Sequence, residues 1–129
     1  MFIKSVLFAL FMVFASSSCF AYSEDVEFLR NQSFNACKQF YVWRVIEGYM
    51  FKTQWASGGR NSNGDMLVNV SGNLQFKNRP TKKAVMQFTI DPKTRKFKMN
   101  GYWVDGVRQS NEKSTAQVNT MCNNLLNRE

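Results

Sequence analysis

Histidine is absent from the chain, and carboxylates are scarce, with 9 Asp and Glu against 17 Lys and Arg. Without imidazole the commonest general base, the usual partner of a nucleophilic Ser or Cys, and the commonest metal ligand are all missing. Triad hydrolysis and histidine-bound zinc are thereby excluded. Cysteine is nearly as sparse, at 3 in 129 residues. Pairing of Cys37 with Cys122 would also remove thiolate catalysis and cysteine metal sites. No catalytic residue, metal or cofactor is therefore expected. Only 2 prolines occur, Pro80 and Pro92, in the turn-forming stretches Asn78-Arg79-Pro80-Thr81 and Asp91-Pro92-Lys93-Thr94. The longest apolar run, residues 6–15, is too short to cross a hydrocarbon layer of roughly 30 Å as a helix. No transmembrane anchor is expected.

That run suits a different role. Lys4 precedes it and a small-residue stretch ending Cys19-Phe20-Ala21 follows it, the pattern of a cleavable secretory signal. Residues 1–21 are read as a leader and 22–129 as one exported domain, periplasmic or secreted. Cys19 departs with the leader, leaving Cys37 and Cys122 as an even pair in an oxidising compartment, where a single disulfide is the expected outcome.

Along the domain, Ser23 followed by Glu24, Asp25 and Glu27 marks a helix start. A mostly apolar stripe at Val26, Leu29, Cys37 and Phe40 carries that helix into the mid-forties. Residues 40–55 read equally as helix or buried strand, with Gly48 as the break, and their aromatics Phe40, Tyr41, Trp43, Tyr49, Phe51 and Trp55 are assigned to the core. Residues 57–64 are a loop by composition. The period then changes to two: Met66, Val68, Val70, Gly72 and Leu74 form one apolar set, Ala84, Met86, Phe88 and Ile90 a second, and Phe97, Met99, Gly101 and Trp103 a third. Turns at 78–81 and 91–94 join these strands, and Asp105-Gly106 offers a hairpin into a short strand at 107–109. Setting large residues against small ones places Gly72 opposite Phe88 and Gly101 opposite Met86. A final helix from Ser114 to Arg128 presents Met121, Cys122 and Leu125 on one side. A Cys37–Cys122 bond would bring both helices onto the same apolar sheet face. The expected fold is a two-layer α+β domain, with N- and C-terminal helices on one face of an antiparallel meander of three to four strands.

The net charge of +8 favours encounter with anionic partners. Lys77, Lys96 and Lys98 are placed on the polar sheet face beside Gln75, Asn100 and Tyr102, and this is the candidate binding surface. Nucleic acid is disfavoured as a partner, since Tyr102 is the one aromatic among those basic residues and stacking platforms are lacking. The leading reading is an exported, non-enzymatic binding or adaptor protein that recognises a protein or an anionic envelope component through that face. Two others are open. An inhibitor or immunity protein would use the loop 57–64 as a wedge into another exported protein. A carboxylate hydrolase of envelope polysaccharide would rest on Asp65 or Asp91.

Overall fold

Two of the alternating apolar sets become the centre of an antiparallel sheet. A computed structural model describes residues 22–128, and the expected leader lies outside the described residues. Among the described residues the sheet has five strands in the order β1-β2-β3-β4-β5. They are β1 Phe51–Arg60, β2 Met66–Leu74, β3 Lys82–Ile90, β4 Phe97–Val104 and β5 Val107–Arg108. Three α-helices among the described residues, α1 Glu24–Arg30, α2 Val42–Glu47 and α3 Asn111–Arg128, cover one face. The layer between them holds Val26, Leu29, Val45 and Ile46 from α1 and α2, Met121 and Leu125 from α3, and Val68, Val70, Met86, Phe88 and Ile90 from the sheet, all buried. Each such side chain stabilises the fold by roughly 1.5 to 3 kcal/mol relative to exposure. Among the described residues no helix is long and apolar enough to cross a membrane.

The architecture is the expected α+β one, with one strand more than the three to four anticipated. The extra strand is β1. Its outer flank is unpaired among the described residues and its burial follows no alternation, so an edge strand with mostly exposed side chains carries little periodic signal. It absorbs residues 57–60 of the expected loop, leaving a tight tip at 61–65. There Asn61 Oδ1 accepts from the backbone N–H groups of Asn63 and Asp65. Residues 40–55 divide in the same way, into α2 and the start of β1, with Gly48 capping α2. Of their aromatics Phe40 and Trp55 are buried, whereas Tyr41 and Phe51 are exposed.

The long first helix does not form. α1 stops at Arg30, a short 3-10 turn spans Asn35–Cys37, and Phe34 and Tyr41 before the next two helical pieces are extended. Steps of five residues from Leu29 to Phe34, and of two from Phe40 to Val42, fall out of phase with about 3.6 residues per turn. One straight helix could not send all four inward. The intervening loop is drawn shut where the Val42 N–H donates to the Gln32 carbonyl at 2.7 Å. Ser23 stands at the N-cap of α1, but its side chain makes no capping bond. At the other end α3 begins before Ser114, because Ser110 caps it: Ser110 Oγ accepts from the Lys113 N–H.

Register also differs from expectation. Gly72 faces Ala84 rather than Phe88, because the connection 75–81 reverses about Asn78, whose φ is 61°, and not about Pro80 as the expected pairing requires. The space over Gly72 is taken by Met50, whose Cε would lie 2.8 Å from a Cβ added there. Between β3 and β4, Ile90 faces Phe97, the pairing that a Gly101–Met86 register implies, but a bulge next to Gly101 advances the register by one. Tyr102 then meets Met86, and Trp103 meets Val85. A one-residue step exchanges the two sheet faces.

The two sulfurs meet as expected: Cys37 and Cys122 are bonded, with Cα atoms 5.7 Å apart across a separation of 85 residues. Closing a loop of that size removes about 4 to 5 kcal/mol of unfolded-chain entropy in the ideal treatment. The Cys37→Ser, Cys122→Ser double variant is therefore expected to lose roughly 2 to 5 kcal/mol in urea unfolding monitored by tryptophan fluorescence. A loss below about 0.5 kcal/mol would show that the helical layer holds without the bond.

Candidate binding groove

β4 is eight residues long, yet β5 pairs only with its last two, through Trp103 with Arg108 and Val104 with Val107. The turn between them places Asp105 at φ 49° and Gly106 at φ 80°. This left-handed pair is the geometry of a two-residue hairpin, and it suits glycine at the second position. Because β5 ends so early, the flank of β4 from Phe97 to Asn100 has no strand beside it among the described residues.

That open flank forms the bottom of a groove of about 940 Å³. Residues 32–36 make one wall, and Asn111, Ser114, Thr115, Val118 and Asn119 of α3 make the other. Phe34, Phe97, Met99 and Val118 supply its apolar patches, and Phe34 is fixed by tilted ring contacts to Phe88 at 6.1 Å and Phe97 at 6.0 Å. Arg95, Lys96, Lys98 and Arg108 line it, with no carboxylate among the described lining residues. None of the four cations is ion-paired among the described residues; the Arg30–Glu47 pair lies elsewhere, between α1 and α2.

Two of these cations are held in place. Arg95 has a φ of 61°, a left-handed conformation that costs a side-chain-bearing residue about 1 to 2 kcal/mol. Its N–H donates to the Asp91 carbonyl, and its guanidinium sits 4.0 Å over the Phe28 ring. Arg108 donates from Nη2 to the Asn100 carbonyl at 2.9 Å and stacks 5.2 Å from the Trp103 ring. Trp103 in turn lies flat over Gly101, where an added Cβ would come within 2.4 Å of Cη2. Behind the rim, the Asn100 side chain donates to Gln87, and Gln87 donates to Asn69. This amide ladder crosses three strands and stiffens the outer sheet face.

Of the residues assigned from sequence to a binding face, Lys96, Lys98 and Asn100 come together here. Lys77 and Gln75 do not. They follow the end of β2, in the connection at the opposite end of β3, and a strand of nine residues separates those ends by about 27 Å. Tyr102 is a correction: at 3% exposure it belongs to the core face, because the bulge turned it inward and sent Trp103 out in its place. It helps to line a smaller cleft of about 290 Å³ with Leu74, Phe76 and Val104. Arg108 and the wall 32–36 were not singled out from sequence. The signal for Arg108 was the Asp105-Gly106 turn, which folds it back along β4. The signal for the wall was Cys37, whose bond to α3 brings the preceding residues against that helix.

Asp91 and Asp105 are engaged in turns. Asp91 Oδ1 accepts from the Lys93 and Thr94 N–H groups, and these bonds hold its carboxyl below the usual range near 3.8. Asp105 Oδ1 accepts from the Lys83 N–H. Since Met66 faces Ile90, Asp65 and Asp91 flank the same end of the sheet.

Comparison of the chain with protein families, characterised proteins and solved structures returns no match.

Burial pushes the Tyr102 hydroxyl up from 10.0 to about 12, with the Tyr49 charge adding to it. A raised folded value means that the neutral form is favoured in the native state. The associated stability is complete below pH 10.0 and is lost as pH climbs toward 12. Of the 4 tyrosines, Tyr102 should ionise last in an ultraviolet tyrosinate titration. Tyr102→Phe should delete that late step, and an unchanged titration curve would place the ring in water.

Proposed function

We propose that this protein is an exported, non-enzymatic binding domain whose groove along β4 receives an acidic stretch of another protein. The observation that carries the reading is the lining: Arg95, Lys96, Lys98 and Arg108 converge on one concavity without a described carboxylate to neutralise them. Unpaired like charges around a low-dielectric cleft focus a positive potential, which raises the local concentration of an anionic segment and speeds its association. The disulfide supports the exported part of the reading, since such bonds persist in oxidising compartments. Arg95 adds a second line of support. Glycine or asparagine would fit its left-handed backbone at less cost, so a long cation there suggests a use for the guanidinium beyond the turn. The hydrolase alternative draws less support. A general acid needs a raised pKa, and the backbone bonds to Asp91 lower it.

The test uses a labelled, blocked peptide alternating Val and Glu, its counterpart with Lys for Glu, and anionic phospholipid vesicles. Fluorescence anisotropy should show binding of the acidic peptide that weakens as salt is added. Lys96→Glu with Lys98→Glu should weaken it roughly tenfold or more. Equal affinity for both peptides, or charge-sensitive capture by the vesicles in place of the peptide, would refute the reading. Arg95→Gly gives an independent check: relief of the left-handed strain and loss of the Phe28 contact should leave stability within about 1 kcal/mol of the parent while affinity falls.

A further inference from the structure

We infer that the occupant of the groove binds as an added β-strand, hydrogen-bonded through its backbone to the free flank of β4 between Phe97 and Asn100. This inference rests on the groove reading above and specifies how the acidic segment is held. An unpaired strand flank presents a row of N–H and C=O groups that a second extended chain can satisfy. Proteins commonly blunt such an edge, and this one does so at both of its other exposed stretches. β1 is interrupted by register shifts between Phe51 and Gln54 and between Ser57 and Gly59. The far end of β4 is covered by β5 and by Arg108, whose guanidinium takes the Asn100 carbonyl. Among the described residues, the outward-facing N–H and C=O groups of Phe97 and Met99 are left uncovered in the groove between the wall 32–36 and α3.

The side chains along that flank specify the occupant. Phe97 faces Phe34 and Phe88 in the core layer, and Met99 packs against the same core. Lys96 and Lys98 are exposed at the alternate positions. An added strand also alternates its side chains between two sides. Its apolar residues would reach Phe34, Met99 and Val118, and its acidic residues Lys96, Lys98 and Arg108. The segment recognised is therefore extended, about four residues long at the strand rise, and alternates apolar with acidic side chains. A helix or a compact acidic cluster would offer no backbone to the flank.

The experiment compares four blocked peptides on the intact, disulfide-bonded domain. They are the alternating Val and Glu parent, the same composition with the Glu residues in one block, and two versions N-methylated on alternate backbone amides, one for each edge of the strand. Methylation on the edge that faces β4 should cut affinity at least tenfold, and methylation on the other edge should leave it within about twofold. The block peptide should bind more weakly than the parent, and the outward-facing amides of Phe97 and Met99 should gain hydrogen-exchange protection with the parent alone. If the parent binds and both methylated versions bind equally, strand addition is overturned while the charge-based reading stands. If no acidic peptide binds, both readings fall. If the free domain dimerises through β4, seen as concentration-dependent protection of the Phe97 and Met99 amides in sedimentation-matched samples, a second copy is the occupant and the inference is overturned.

Discussion

A single covalent bond sets the geometry on which the groove depends. Cys37 ends the short 3-10 turn whose preceding residues form one wall, and Cys122 lies in the helix that forms the other. Neither wall has extensive regular packing of its own, because residues 31–41 contain only that short turn and the first half of α3 is largely exposed. The bond, together with the Val42 N–H to Gln32 carbonyl hydrogen bond, converts a loop and a helix into the sides of a cavity. Below them the sheet is anchored separately by fully buried Val68, Met86, Phe88 and Ile90.

The opposite corner of the molecule is locked by electrostatics and ring contacts. Arg30 pairs with Glu47, and the Trp55 indole N–H donates to the same carboxylate oxygen at 2.9 Å. The guanidinium also faces the rings of Tyr22, Trp43 and Trp55 at 4.5, 5.7 and 5.0 Å. This knot ties α1, α2 and β1 together, while Ser57 donates to Asp25 to hold β1 against α1. An arginine so enclosed has its positive charge satisfied internally. The groove cations contrast with it. Arg95 and Arg108 have aromatic or backbone contacts, none of the four has a described carboxylate partner, and their charge remains available to a ligand.

Much of the sheet could be read directly from residue order, because alternation at 66–74 and 84–90 follows from burying one face of a strand. The helical stripe at 121, 122 and 125 was equally legible, and so was the cysteine pair. Local composition misled where backbone pairing outweighed it. Ser57-Gly58-Gly59-Arg60 looks like a loop, yet it is strand because β2 supplies hydrogen-bond partners along it. The apolar positions between Val26 and Ile46 resemble a helix until their steps of five and two are required to meet one layer. At the candidate site, Lys96, Lys98 and Asn100 were recognisable from their alternation, but Tyr102 was assigned to the wrong face. The cause is a bulge of one residue, and the pattern Asn100-Gly101-Tyr102-Trp103 is compatible with either face until the Trp103 ring is seen to need Gly101 beneath it.

Sequence alone determined the α+β class, the antiparallel order, the disulfide and the absence of histidine chemistry, since each depends on residue type and near-neighbour spacing. Tertiary structure decided which cations share a site. Lys77 and Lys96 look alike along the chain, but the length of β3 sends them to opposite ends of the molecule, whereas Arg108 joins Lys96 and Lys98 because a left-handed turn reverses the chain beside β4. Proximity of this kind is set by strand length, turn handedness and a bulge acting together over many residues, and no local pattern encodes their sum.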